Sequence, residues 1–165
     1  MQLSSFNRVS SFKSAGKLIT GHGAAQQLQL YVQSLGMQRP LIVTDSGVVA
    51  SGTLDMITEQ LTALKVSYEV FDQVTPEPEV EIVEMCTRAF NAGKHDSVIA
   101  VGGGSAMDIA KCVAVYAHYE GPLEALFGEN KVNQRTIPLI AMPTTAGTGS
   151  EVTNIAILSD KAQQM

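Results

Sequence analysis

Three stretches of this sequence place residues capable of chemistry at the ends of apolar runs. The sharpest is VIAVGGGSAMDIAK, residues 98–111, where a β-branched run gives way to Gly102, Gly103 and Gly104, then Ser105, then a helical pattern containing Asp108. Glycines at such a junction remove the Cβ atoms that would hold a pyrophosphate off the backbone. The amides of the first helical turn, with the positive end of the helix dipole, then point at the anion. The second stretch is PTTAGTGSEVT, residues 143–153, which packs five hydroxyls, Thr144, Thr145 and Thr153 among them, and two glycines into eleven residues. Small donors at that density suit ribose and phosphate oxygens. The third is Asp45, at the end of LIVTD, where a carboxylate can accept from both ribose hydroxyls of an adenosine and repel a 2′-phosphate.

Each stretch also has a plainer reading. Ser105 can cap the helix with Asp108, three residues on, closing a capping box, the glycines then serving only a tight turn. The hydroxyl-rich loop can satisfy its own backbone, and Asp45 beside Ser46-Gly47 can be an ordinary turn residue. The glycine run departs from the usual dinucleotide fingerprint, because the third glycine of G-x-G-x-x-G would fall at Met107 and because Asp45 precedes Gly102 by 57 residues instead of following it. A P-loop is excluded as well, since Lys111 lies inside the helical pattern with no G-K-[ST] ahead of it.

Other chemistries find little support. His22, His95 and His118 fit no metal-ligand spacing and read as surface or helix-end residues. No G-x-S-x-G elbow occurs, although Gly149-Ser150-Glu151 resembles one in part. Cys86 and Cys112 have neither C-x-x-C spacing nor the density of a secreted scaffold, and read as buried free thiols.

The elements that must position these loops alternate in period. Leu28, Val32 and Leu35, closed by Gly36, predict a helix before the strand 41–45. Leu54, Ile57, Leu61 and Leu64 predict a second helix, followed by a strand at 67–71. After the turn TPEPEV, the residues Ile82, Cys86, Ala89 and Phe90 mark a third helix stopped near Gly93, ahead of a strand at 97–101. A helix over roughly Ala106 to Tyr119, a strand at 137–143 and a last apolar stretch at 155–158 complete the pattern. Short apolar strands separated by helices of 10 to 15 residues imply an α/β, doubly wound, mostly parallel sheet with helices on both faces, because hairpins cannot supply such crossovers. Open sheets of this kind bind ligands outside the carboxyl ends of their strands, which is where all three stretches fall.

At 165 residues the chain has room for one domain over 1–165, and 45% hydrophobic residues with 14 glycines describe a globule whose core needs no disulfide or metal. A net charge of −5 excludes broad attraction to nucleic acid or anionic lipid, and neither a signal peptide nor a membrane span is visible. The cytoplasm is the expected location. Asp160-Lys161 reads as a turn leading onward, so the chain is expected to be one domain of a longer protein.

Taken together, GGGSAMDIAK and, about 40 residues on, PTTAGTGSEVT resemble the paired signature of the iron-containing (group III) alcohol dehydrogenases, and LIVTDSG and the central Pro-rich turn fall in place between Gly21 and Asp160. The resemblance implies an N-terminal Rossmann-like domain, an all-helical C-terminal domain outside this chain, and NAD in the cleft between them. It matches Gly102, Gly103, Gly104 and Ser105 to the pyrophosphate loop, with Asp108 in the same motif. It matches Asp45 to the acid that favours NAD over NADP, and Thr144, Thr145 and Thr153 to positions lining the cofactor cleft. The family's divalent metal, iron or sometimes zinc, is held by one Asp and three His of the helical domain, so no metal ligand and no catalytic residue falls on this chain. Glu77 departs from the pattern: the family often has Asn between the two prolines, and a carboxylate cannot donate as an amide does. The expected function is the NAD-binding part of a dehydrogenase acting on a small alcohol or aldehyde, inactive alone and assembled as a homo-oligomer of two or more copies. The alternatives are a glycerol dehydrogenase-like or maleylacetate reductase-like relative, or a non-catalytic nucleotide- or FMN-binding module.

Overall fold

The computed structural model describes residues 16–128, 131–132 and 136–159. A single turn of 3-10 helix, Ala24–Gln27, leads into α1 (Leu28–Ser34), then β1 (Pro40–Val43), α2 (Ser46–Ala50), α3 (Asp55–Ala63), β2 (Glu69–Phe71), α4 (Val80–Ala92), β3 (Ser97–Gly102), α5 (Gly104–Tyr116), a second 3-10 turn (Leu123–Leu126) and β4 (Leu139–Pro143). The four strands form one parallel sheet in the order β2-β1-β3-β4.

Alternation along the central strands decides which helix covers which face. Leu41, Val43, Val98 and Ala100 pack with Val83, Cys86 and Phe90 of α4 and with Met107, Ile109 and Val113 of α5. Ile42, Ile99 and Val101 point the other way, into Leu28 and Val32 of α1 and Leu54, Ile57 and Leu61 at and within α3. Every residue of β1 and β3 is buried, which is why both strands read as unbroken apolar runs. Helices on both faces of a parallel sheet make the fold α/β and doubly wound.

Chain direction across the sheet reverses between β1 and β3: β2 lies to one side of β1, and the next strand returns to the other. The crossovers on the two sides of that point cover opposite faces, so a crevice opens at the carboxyl ends of β1 and β3.

Several boundaries differ from the sequence expectation. The strand expected at 41–45 stops at Val43, and the Asp45 side chain instead caps the short α2, accepting from the Val48 amide at 3.0 Å. The strand expected at 67–71 is only Glu69–Phe71, and the one at 137–143 begins at Leu139. The helix expected over Ala106 to Tyr119 starts earlier, at Gly104, because the chain turns at Gly102 and Gly103 is already the N-cap, and it ends at Tyr116. Leu35 stands out to solvent beyond the end of α1. The stretch 155–158 forms no strand, and Ile155 and Ile157 are exposed. The expected turn at Asp160-Lys161 lies outside the described residues.

Candidate functional site

Gly102 ends β3 with φ +155, and a Cβ there would meet the Ala106 Cβ at 2.8 Å. Only glycine lets the strand turn this tightly into α5. Gly103 is the N-cap of α5 in extended conformation, and no side chain caps the helix. The capping box expected of Ser105 and Asp108 is therefore not formed: Ser105 already lies inside the first turn, and Asp108 faces elsewhere. The first-turn amides have no intrahelical acceptor, so the positive end of α5 opens on the crevice without a protein partner from its own cap.

Asp45 comes to the same place from β1. One carboxylate oxygen, Oδ1, is held by the Val48 amide, and the other, Oδ2, lies 3.5 Å from the position of a Gly102 Cβ. A groove of about 390 Å³ runs between them, lined by Asp45, Ser46, Thr75, Pro76, Gly103 and Ser105, among others. Residues 57 apart in sequence are thus neighbours, because β1 and β3 pair directly.

The loop after β4 forms a roof. The Thr144 amide donates to the Gly102 carbonyl at 2.9 Å, continuing the β3–β4 ladder beyond Pro143. A Cβ at Gly103 would touch the Thr145 hydroxyl at 3.4 Å, and one at Gly104 would press on the Thr148 methyl at 3.2 Å. Thr144, Thr145 and Thr148 are all exposed.

Asp108 and Thr153 sit behind this roof. Asp108 is buried, and its carboxylate accepts from the Ser150 hydroxyl, from the Lys111 ammonium at 3.1 Å and from the Ile157 amide at 3.1 Å. Lys111 also donates to Ser150 Oγ at 2.6 Å, to Thr153 Oγ1 at 3.3 Å and to the Ile155 carbonyl at 2.7 Å. Sequence reading overlooked Thr148, Ser150 and Lys111 as members of this assembly. Its only trace in the sequence was Asp and Lys three apart on one helix, a spacing that puts both on the same face.

Both cysteines are free thiols. Burial pushes both Cys86 and Cys112 up to about 12, with the Asp108 charge adding to the effect at Cys112 and Lys111 opposing it. Cys86 is buried as expected, whereas Cys112 is only half-buried.

A scan of family models matches residues 15–165 to the iron-containing alcohol dehydrogenases. The chain belongs to that family. Among curated proteins it is 42% identical over 142 residues to long-chain-alcohol dehydrogenase 1 of Geobacillus thermodenitrificans, covering 84% of this chain and 36% of that one. It is 37% identical over 144 residues to sulfoacetaldehyde reductase of Bilophila wadsworthia, covering 87% and 37%. Among solved structures it superposes on a 1,3-propanediol oxidoreductase with a TM-score of 0.90 at 30% identity, covering 94% of this chain and 41% of that one. A sulfoacetaldehyde reductase from Bifidobacterium kashiwanohense, in complex with NAD+, matches with a TM-score of 0.82 at 29% identity over the same shares. The chain thus spans well under half the length of the relatives it matches.

Among the described residues no three His, Cys, Asp or Glu side chains come together as a metal site. His95 is buried beyond the end of α4 with Nδ1 on the Arg39 carbonyl, at the opposite end of the sheet from the groove. The described residues therefore offer the metal no ligand set.

Proposed function

We propose that this chain is the NAD-binding domain of a two-domain, metal-dependent dehydrogenase that interconverts a small alcohol and its aldehyde. One observation carries the reading: an uncapped glycine helix terminus and a carboxylate from a different strand meet in one groove at the switch point of a parallel sheet. A free helix end attracts the diphosphate, and Asp45 Oδ2 is placed to accept from the adenosine ribose and to repel a 2′-phosphate. The residues fit the cofactor, since the space beside Gly103 and Gly104 is what side chains there would fill. Bound NAD would supply the hydride acceptor, and this chain's part is to hold and orient it.

Within that reading Gly102, Gly103, Gly104 and Ser105 form the floor, and Thr144 and Thr145 form the roof. Asp108 and Thr153 act from behind, because their polar atoms are already turned to Lys111 and Ser150. The metal belongs to a second, helical domain of the complete polypeptide. Among the described residues no helix is long and apolar enough to cross a membrane. The proposed location is the cytoplasm and the proposed assembly a homo-oligomer, to be checked by fractionation and light scattering.

NADH titration of the intact polypeptide, followed by the blue shift and enhancement of its fluorescence, tests the reading. Saturable uptake of NADH with weaker uptake of NADPH is the expected result. No uptake, or a purified protein carrying flavin absorbance, would overturn it and favour a flavodoxin-like nucleotide module.

A further inference from the structure

We infer that Lys111, Asp108 and Ser150 form a latch that sets the height of the threonine roof over the glycine turn, making Lys111 a positioning residue for the cofactor instead of a contact to it. The inference rests on the cofactor reading above and deepens it.

The two walls of the groove are built differently. The floor is the end of β3 running straight into a thirteen-residue helix, and it is tied to the sheet on both sides. The roof, residues 144–149, is mostly exposed. Its backbone is tied to the floor near Gly102, and its far end is anchored through Ser150. That serine is buried to 6% exposure, and its hydroxyl lies between the Asp108 carboxylate and the Lys111 ammonium. The Ser150 amide in turn approaches the Thr148 hydroxyl at 3.4 Å, and Thr148 is the residue whose methyl stands over Gly104. A connected path therefore runs from Lys111 through Ser150 and Thr148 to the turn.

Lys111 suits this task and not phosphate binding. An ammonium has three protons, and here four oxygens surround it: Asp108 Oδ1, Ser150 Oγ, Thr153 Oγ1 and the Ile155 carbonyl. Its charge is matched by the Asp108 carboxylate. That carboxylate also accepts from the Ile157 amide, so the segment on both sides of Thr153 is pinned to one helical face. A cation so enclosed has no donor left for a diphosphate. Asp108, one turn into α5, likewise has its oxygens occupied by protein donors.

Three measurements on the intact polypeptide test the latch. In Lys111→Met, whose unbranched side chain is one atom shorter and has no donors, the amides of 144–153 should exchange hydrogen at least about tenfold faster while those of α4 are unchanged. The same variant should bind NADH about tenfold more weakly, with the salt dependence of binding that the unaltered protein shows, because no charge touching the cofactor has been lost. Ser150→Ala should weaken NADH to a similar degree, and the double variant should bind no worse than the poorer single one, as expected when two residues serve one device. Unchanged exchange in the roof, a flattened salt dependence, or fully additive losses would each overturn the latch. Should the unaltered protein take up no NADH, the cofactor reading falls, whereas the exchange experiment still decides whether Lys111 holds the roof.

Discussion

The two ends of the same buried strands are finished in opposite ways. At the amino-terminal end of β1 and β3, protein groups meet protein groups: Asp96 accepts from the amides of Gln38 and Arg39 at 2.9 and 3.1 Å and from the Ser97 hydroxyl at 2.6 Å. Arg39 pairs with Glu69 at 3.2 Å, and its carbonyl is taken by His95. At the carboxyl-terminal end, α5 begins with no side-chain cap, and Thr144, Thr145 and Thr148 stand exposed above it. The amides at the start of β1 thus receive a carboxylate, and at the other end Asp45 serves the Val48 amide of α2 while the first turn of α5 has no side-chain acceptor. That uncapped turn is the feature on which the proposed cofactor site rests.

The largest effect is expected from filling the open end. Gly103 has φ −80, which any residue adopts, so Gly103→Val should fold normally while its side chain crowds Thr145 and the space beside the turn. NADH affinity should fall by about a hundredfold, on the order of 3 kcal/mol, with little change in Tm. Equal affinity in that variant would leave the glycines as turn residues only. Next comes Asp45→Ala. Loss of the free Oδ2 should weaken NADH by about tenfold, on the order of 1.4 kcal/mol, and narrow the preference over NADPH. A preference that does not move would remove Asp45 from the site.

A smaller change is expected at the closed end. Partial burial pushes the Asp96 carboxyl up, but the Ser97 hydroxyl and the amides of Gln38 and Arg39 outweigh it and hold the group below its ordinary value. Because the folded pKa is depressed, Asp96 contributes stability above the unfolded value near 4 and loses it as pH falls through the folded one. Asp96→Asn should cost about 1 kcal/mol at neutral pH, discounted for its solvent exposure, and flatten the acid limb of the stability curve without altering NADH binding. An unchanged acid limb would show that the closure at this end carries little energy.

The smallest effect concerns Glu77, which follows the groove-lining Pro76 in the turn before Pro78 and has φ +53. Asparagine is at ease in that left-handed conformation and glutamate is not. Glu77→Asn should raise stability by about 0.5 kcal/mol, a shift of about 1 to 2 °C in Tm. A lower Tm would mean that the carboxylate has a compensating role in the turn.

What the sequence disclosed depended on how local the cause was. The runs 41–43 and 97–101 are apolar on both faces, so parallel strands under helices could be read from them directly. The glycine triplet showed itself because a backbone that must turn sharply beneath a helix permits few other residues. Asp45 was legible as a residue but not as a cap, since whether a carboxylate stops a strand or starts a helix depends on the Val48 amide presented to it. The group around Lys111 was illegible because its partners lie about 40 residues away and meet only when β4 returns beside β3. Ser105 and Asp108 misled for a related reason. Their spacing satisfies the local rule for a capping box, but the helix begins two residues earlier than that rule requires, and a buried serine from the next loop captures the aspartate.

The strand order has a consequence for how the chain is made. β1 is wholly buried, yet the strand made soonest after it, β2, has only three residues, and its longer pairing sets Pro40 opposite Ser97. A nascent chain emerging from the ribosome therefore carries an apolar ribbon with an open edge until Gly102 has been synthesised. Non-local parallel pairing of this kind forms slowly. During that interval the unpaired edge of β1 is open to non-native strand pairing.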